Sequence, residues 1–280
     1  MRSLRVFPRR TSYTPTDGLA FVGDPPLFPR YAVTAINVSV VFSWDRVAGE
    51  RLAEAWQAQY PEATVRVGGP AYDDPGDMFM PGEYVKAGIV HTSRGCNNKC
   101  PWCVVPQREG RLRLLPLTEG YVVSDNNLLQ CPREHRLAVY EMLSRQSKGA
   151  EFRGGIDARL VNAETAAELR DVRITELFLA ADSEAGLGAL SRASERLHFL
   201  TRRQKRCYVL VGWQDDTPER AASRLEACWQ MGVLPFAQYF RGPETIARFD
   251  YPRAWRELVR TWSRPAAMMA SHAEAVKCNC

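Results

Sequence analysis

The sequence has no long hydrophobic run. Its longest apolar segment, residues 31–42, is interrupted by Thr34, Asn37 and Ser39 and is too short to span a bilayer. The basic N-terminus continues into Thr, Ser and Pro rather than an apolar stretch, which is not the pattern of a signal peptide. We therefore expect a cytoplasmic protein with no membrane association. In a reducing cytoplasm, its eight cysteines are not expected to form a disulfide framework.

Several common catalytic motifs are also missing. The chain has no G-x-S-x-G motif and no P-loop, and the glycines at 186 and 188 lack the full dinucleotide-binding fingerprint. The four His residues are scattered and form no pair with metal-ligand spacing. Lysine is scarce, so the excess of 37 Lys and Arg over 32 Asp and Glu is mainly arginine. The resulting net charge of +5 is milder than that of a dedicated nucleic-acid binder.

The composition is otherwise that of an ordinary globular protein. With 45% hydrophobic and 25% charged residues, 280 residues suit one large domain, or one domain with a small addition. In the N-terminal part we predict strands near 4–7, 32–42 and 63–67, a helix over 46–60 and a glycine turn at 68–70. The segment 73–82 is acidic and rich in Pro and Gly, which predicts a linker.

From residue 87 onward, apolar strand patterns alternate regularly with helical patterns. We predict strands near 87–92, 120–124, 152–157, 175–180, 207–212 and 234–240, and helices over 132–146, 162–170, 186–201 and 218–231. This alternation indicates a parallel sheet, either doubly wound or curled into a barrel. In both folds the active site lies at the carboxyl ends of the strands.

Three cysteines lie within eight residues, in the segment Gly-Cys96-Asn-Asn-Lys-Cys100-Pro-Trp102-Cys103 after the first strand of this regular region. Thiolates are soft ligands that suit zinc, copper(I) or iron–sulfur clusters, and three of them leave one coordination position open. A structural zinc site needs a fourth ligand and usually has paired C-x₂-C units. His91 could be that ligand, but we expect it to face away from the loop. A zinc site therefore stays open as an alternative to an iron–sulfur cluster.

The spacing Cys96-x₃-Cys100-x-Trp102-Cys103 resembles the cluster-binding signature of the radical S-adenosylmethionine (SAM) superfamily, C-x₃-C-x-Φ-C with an aromatic residue at Φ. The resemblance implies a [4Fe–4S] cluster held by Cys96, Cys100 and Cys103, with the fourth iron open to SAM. It also implies reductive cleavage of SAM to methionine and a 5′-deoxyadenosyl radical, which abstracts hydrogen from a substrate. An electron donor such as flavodoxin or ferredoxin would then be a partner.

The same resemblance implies that residues at the strand ends contact SAM. These residues are Trp102, Val211 and Gly212 near the adenine, Ser124, Asp125 and Asn126 near the amino group, Asp157 and Arg159 near the carboxylate, and Asp182, Ser183 and Glu184 near the ribose. The planar guanidinium of Arg159 suits bidentate pairing with a carboxylate.

The resemblance also implies a fold and a domain organisation. The expected fold class is α/β, with a partial (β/α)₆ TIM-like barrel over 87–262, a small N-terminal α/β cap over 1–86 and a C-terminal tail over 263–280 that folds back over the barrel mouth. Within the cap, the unit 38–72 resembles half of a cobalamin-binding domain. The cobalt-ligating D-x-H-x-x-G signature is absent, so we expect a shortened relative that does not bind cobalamin.

A second resemblance, through the segment from Cys103 to Pro106, is to methylthiotransferases that modify tRNA or a ribosomal protein. Those enzymes continue Pro-x-x-Arg-Gly, whereas this chain has Glu109 where arginine is expected. They also carry three N-terminal cysteines, and residues 1–95 contain none. We disfavour this branch but keep methyl or methylthio transfer to RNA or protein as an alternative. A peptide, a nucleotide or RNA base, or a small metabolite would each fit as substrate.

The other cysteines and the arginine clusters suggest no further centre. Cys207 and Cys228 are predicted core residues, and we expect no auxiliary cluster from Cys131, Cys278 and Cys280. The arginines at 108, 111 and 113 could meet an anionic substrate or balance the thiolates, and the basic segment 202–206 predicts a solvated loop. Two further hypotheses stay open: a non-catalytic zinc or iron–sulfur binding module, and an Arg-rich RNA-binding protein.

Overall fold

The computed structural model describes residues 3–28, 32–76, 79–242 and 251–278, with side chains up to residue 272 in the last stretch. The chain forms two separate parallel sheets, each with its own hydrophobic core. This arrangement confirms the predicted α/β class. Among the described helices, none combines the length and the apolar character that crossing a bilayer requires.

The N-terminal sheet has four parallel strands in the order β2-β1-β3-β4. Its elements are β1 (Ser3–Phe7), β2 (Ala20–Val22), β3 (Ala35–Ser39), α1 (Arg46–Gln59) and β4 (Thr64–Gly68). Alternate residues of the central strands, such as Val6 and Val38, are buried under α1. Trp56 of α1 is fully buried there, and its indole N–H donates to the Gly23 carbonyl at 3.0 Å. β2 lies in a Pro- and Thr-rich segment where we predicted no strand.

The second sheet has six parallel strands in the order β12-β11-β10-β9-β8-β5. Its strands are β5 (Ile89–Val90), β8 (Val122–Val123), β9 (Ala150–Phe152), β10 (Ile174–Ala180), β11 (Lys205–Val211) and β12 (Leu234–Tyr239). The helices between them are α3 (Arg133–Ser144), α4 (Ala163–Arg170), α5 (Glu184–Arg196) and α6 (Pro218–Gln230). Each strand lies beside its predecessor in this sheet, so the strand order has none of the reversal that defines a doubly wound sheet.

The two faces of this sheet differ in character. On one face, apolar side chains such as Leu177 and Val209 form the core with the helices. On the other face, Phe178 stacks on Tyr208 with ring centroids 4.4 Å apart. Near the amino ends of β10 and β11, Arg206 pairs with Glu176 on that face at 3.1 Å. The face that the helices leave uncovered is therefore polar and aromatic rather than apolar.

Most of the basic segment 202–206 is packed, so the predicted solvated loop is wrong except at the turn that carries the exposed Arg203. Besides the pairing of Arg206, the Lys205 ammonium donates to the Ser194 hydroxyl at 2.9 Å. The Arg202 guanidinium lies 4.0 Å from the ring centroid of Trp229. These side chains fix the start of β11 against α5 and α6, which accounts for their positive charge without a nucleic acid.

Two helices follow β12 on the outside of the sheet, and the second of them lies in the predicted C-terminal tail. α7 (Arg253–Trp262) packs on β12 and α6, and α8 (Pro265–Cys278) packs on α7. In α8, the His272 ring stacks on Trp229 at 3.9 Å and lies 3.1 Å from the Glu226 carboxylate. Trp229 lies near the end of α6 that leads into β12, which is the amino edge of the sheet. The expectation that the tail covers the mouth at the carboxyl edge is therefore wrong for the described part of α8.

Candidate metal centre

The three clustered cysteines lie in a loop closed by a short hairpin. β6 (Ser93–Arg94) precedes the loop, and it pairs antiparallel with β7 (Arg113–Leu114) after it. Between these strands, the four-residue helix α2 (Val105–Arg108) follows the last cysteine. We call residues 95–104 the cysteine loop. It follows β5 at the carboxyl edge of the six-stranded sheet, where the sequence predicted the chemistry of the protein.

The thiols of the cysteine loop are free, partly exposed and close enough to influence one another. Burial raises the pKa of the Cys100 thiol, the charge of Cys103 raises it further, and the Arg159 guanidinium lowers it. Burial also raises the pKa of Cys103, where the Arg108 guanidinium acts in the opposite direction. Metal ligation needs deprotonated thiols, and these two guanidiniums supply positive charge beside them.

Within the described parts of the chain, no three His, Cys, Asp or Glu side chains converge in a way that could hold one metal ion. Ligands of a single ion have to converge on one point. In a [4Fe–4S] cluster each thiolate binds a different iron, so the thiols surround the cluster instead of meeting at one point. Three neighbouring thiols on one loop match such a cluster in number and in donor chemistry.

The carboxylate of Asp157 ties the cysteine loop to two strand ends. It accepts hydrogen bonds from Asn98 of the loop at 2.9 Å, from Asn127 after β8 at 3.3 Å and from Arg159 at 2.7 Å. Burial alone would raise the pKa of Asp157, but the donors, Arg159 foremost, outweigh it and lower the pKa to about 2. Asn98 also accepts a hydrogen bond from the Gln130 amide at 3.0 Å.

Trp102 connects the cysteine loop to the far strands of the sheet. Its indole N–H lowers the pKa of the Asp182 carboxyl after β10, whose carboxylate accepts the Leu210 backbone N–H at 3.1 Å. Burial raises the pKa of Asp182 despite these donors. The Trp102 ring also meets Trp213 edge-on, with centroids 5.2 Å apart. The structure thus brings together Trp102 and Asp182, two of the residues expected near SAM.

The residues after β8 are engaged by the protein itself. The Ser124 hydroxyl lies 3.3 Å from the Tyr13 hydroxyl, which reaches it from the N-terminal region. Asp125 is buried and accepts hydrogen bonds from the Thr92 and Ser93 hydroxyls at 2.6 and 2.7 Å. Burial raises the pKa of Asp125 in spite of these bonds. The Asp125 side chain therefore fastens the end of β8 to Thr92 and to Ser93 at the start of β6.

Other residues expected near SAM lie at or after the ends of β9, β10 and β11. Arg159 is 59% exposed and holds Asp157 in a two-pronged pair, while Glu184 at the start of α5 lies 3.6 Å from Arg220. Ser183 is the N-terminal cap residue of α5 without a capping hydrogen bond from its hydroxyl. The Val211 side chain is fully buried in the core with the helices. Gly212 has a φ of +77°, and its N–H donates to Asp216 at 2.9 Å.

His91 and the cysteines outside the cysteine loop, which the sequence analysis considered as ligands or core residues, do not belong to this centre. His91 is buried against Phe79, and burial, followed by the charge of Arg94, lowers its pKa to about 3. Cys207 and Cys228 are fully buried core residues, as predicted, and Cys131 is also buried. Cys280 lies outside the described residues, as does the side chain of Cys278.

Comparison with known proteins finds no family model that matches the chain, and no curated protein sequence matches it either. The assignment of a function therefore depends on the residues and contacts of the cysteine loop and the sheet that carries it.

Proposed function

We propose that the protein is a radical SAM enzyme. In this proposal, Cys96, Cys100 and Cys103 hold a [4Fe–4S] cluster at which SAM is reductively cleaved to methionine and a 5′-deoxyadenosyl radical, which abstracts hydrogen from a substrate. The observation that carries the proposal is the position of three neighbouring thiols on one loop at the carboxyl edge of a six-stranded parallel sheet. Parallel α/β folds bind their ligands at that edge.

The sheet topology supports a partial barrel of the radical SAM type. Crossovers between neighbouring parallel strands are nearly always right-handed, so a sheet in which each strand lies beside its predecessor carries its helices on one face. Such a sheet curls around its other face. Here that face carries charged and aromatic side chains such as Glu176 and Tyr208, which suit the wall of a substrate cavity better than a packed core.

The protein's own part in such a reaction is to hold the loop and to shape the space beside it. Asp157 fixes the loop through Asn98, and the Trp102 ring packs against Trp213. The partly exposed guanidinium of Arg159 acts on the Cys100 thiol and offers a positive charge to an incoming carboxylate. Tyr13 brings the N-terminal region to Ser124, so the cap contributes to the mouth of the cavity.

The test is anaerobic reconstitution with iron and sulfide, followed by dithionite and SAM and an assay for 5′-deoxyadenosine. Cys100→Ala removes one proposed ligand, and Cys131→Ala is the matched control because Cys131 is a buried cysteine outside the loop. Deoxyadenosine formed by the wild type and by Cys131→Ala, but not by Cys100→Ala, is the expected result. Tightly bound zinc with no deoxyadenosine from any variant would contradict the proposal and favour a binding module.

A further inference from the structure

Glu109 is a buried carboxylate immediately after α2. Its side chain is only 1% exposed, and a charged group in such a place needs partners that offset its loss of hydration. One oxygen accepts a hydrogen bond from Arg108 at 2.6 Å, and Arg94 lies 3.7 Å from the same oxygen. The other oxygen accepts the Asn126 amide at 2.6 Å and the Gly95 backbone N–H at 3.3 Å.

These partners stand at both ends of the cysteine loop. Gly95 directly precedes Cys96, and Arg108 ends the short helix that follows Cys103. Asn126 belongs to the segment after β8, the strand beside β5. One carboxylate therefore joins the entry of the loop, its exit and the neighbouring strand end. None of these contacts uses a side chain that the proposed function needs for the cluster.

The charges of Arg94 and Arg108 also favour a carboxylate at position 109. Arg94 and Arg108 are 17% and 19% exposed, so both guanidiniums are largely removed from water near the thiols. Burial alone would raise the pKa of Glu109, but Arg108 and Arg94 outweigh it and lower the pKa, which keeps the carboxylate ionised. Removing its charge would leave two buried guanidiniums side by side, which is strongly unfavourable.

The identity of residue 109 distinguishes this chain from the methylthiotransferase pattern, which has arginine there. An arginine at 109 has no acceptor atom for the Gly95 N–H or the Asn126 amide. It would also place a third guanidinium beside Arg94 and Arg108. The residues around position 109 in this chain are thus matched to a carboxylate and not to an arginine.

We infer that Glu109 is a positioning residue that holds the cysteine loop in place through Gly95 and Arg108. The contacts of Glu109 are all with the protein itself. Only the naming of the loop's occupant as an iron–sulfur cluster rests on the proposed function.

The experiment compares Glu109→Gln with Glu168→Gln in the full-length protein. Glu168 is a matched control because it is a carboxylate 5% exposed that Arg136 holds with two hydrogen bonds of 3.1 Å, between α3 and α4. Backbone hydrogen exchange of the segment 95–104 is measured in the metal-free proteins. We expect exchange at least tenfold faster in Glu109→Gln and unchanged in Glu168→Gln. Equal exchange in wild type and Glu109→Gln, or equal acceleration in both variants, would overturn the inference.

Two additions separate positioning from general damage and from the proposed function. Asn126→Ala removes one donor to the Glu109 carboxylate. We expect it to accelerate hydrogen exchange of the segment 95–104 less than Glu109→Gln does. This variant allows the inference to be tested even if Glu109→Gln does not fold. After reconstitution with iron and sulfide, we expect a broadened electron paramagnetic resonance (EPR) signal in Glu109→Gln and a wild-type signal in Glu168→Gln. If the wild type binds no iron, the proposed function fails while the exchange data still decide the role of Glu109.

Discussion

Replacement of Asp157 by asparagine tests how the cysteine loop is fastened to the sheet. The Asp157 side chain is 11% exposed and accepts hydrogen bonds from Asn98, Asn127 and Arg159. Its pKa of about 2, against an ordinary 3.8, corresponds to roughly 2.4 kcal/mol in favour of the charged form. Because Arg159 is 59% exposed, solvent screening reduces this, and we expect Asp157→Asn to lower the free energy of unfolding by about 1–2 kcal/mol.

The loss of stability in Asp157→Asn should depend on pH. A carboxyl group whose pKa is lowered by folding stabilises the protein above its unfolded pKa, and this contribution is lost as the pH falls through the folded pKa. The difference between wild type and Asp157→Asn should therefore be full at pH 7 and shrink between about pH 4 and pH 2. Urea unfolding across this range, for as long as the protein stays folded, measures it.

The Arg159→Ala variant and the double variant complete a thermodynamic cycle with Asp157→Asn. We expect a coupling energy of about 0.5–1.5 kcal/mol between Asp157 and Arg159, because two short hydrogen bonds join a largely buried carboxylate to a largely exposed guanidinium. Faster hydrogen exchange in the segment 95–104 should accompany the loss of Asp157. Unchanged stability at pH 7, or unchanged exchange in that segment, would refute the argument that Asp157 fastens the loop.

Three further predictions concern neighbouring positions. Gly95→Ala should lower the thermal unfolding temperature far more than Gly110→Ala. Both glycines have a positive φ, but a Cβ at Gly95 would lie 2.1 Å from the Arg111 carbonyl oxygen, whereas a Cβ at Gly110 would have nothing within 4 Å. Similar decreases in the two variants would contradict this. Trp102→Phe removes an indole N–H that lowers the pKa of the largely buried Asp182 carboxyl, so that pKa should rise and the free energy of urea unfolding at pH 7 should fall by about 1 kcal/mol; equal stability of the two proteins would contradict this. His91 has a pKa of about 3 in the folded protein and about 6.5 in the unfolded chain, so between these values only the unfolded chain binds a proton at this residue. The free energy of unfolding of the wild type should therefore fall by up to about 1.4 kcal/mol for each pH unit toward acid. His91→Phe should reduce this slope, and an identical slope in both proteins would contradict the prediction.

The regular part of the fold could be predicted from the sequence because buried parallel strands have distinct apolar runs. The runs near 175–180, 207–212 and 234–240 became β10, β11 and β12 with shifts of one or two residues. The strand predicted over 152–157 is instead Ala150–Phe152, because the chain turns at the next glycines. Gly155 has a φ of +102°, and a Cβ at Gly154 would lie 1.9 Å from the Asp125 carbonyl oxygen. Apolar content alone does not show such a turn.

The cysteine loop was visible in the sequence because its three thiols are neighbours along the chain. Its supports were not, because they come from distant positions. Asn98 and Asp157 are 59 residues apart, and Asn126 reaches Glu109 across 17 residues. Asn98 had only one signal, its closeness to the cysteines, and Glu109 had that and its place where the methylthiotransferase pattern has arginine; neither signal identifies a partner. Asp125, a polar residue at a strand end, makes hydrogen bonds within the protein that the sequence did not indicate.

The central claim is that the three thiols of the cysteine loop hold a [4Fe–4S] cluster that binds SAM. The most direct measurement is EPR spectroscopy of the reconstituted, dithionite-reduced protein before and after SAM is added. The account predicts a signal of a reduced [4Fe–4S] cluster that changes shape when SAM binds, and that is absent when Cys96, Cys100 and Cys103 are all replaced by alanine. A cluster signal that persists in this triple variant, or one that SAM leaves unchanged in the wild type, would contradict it.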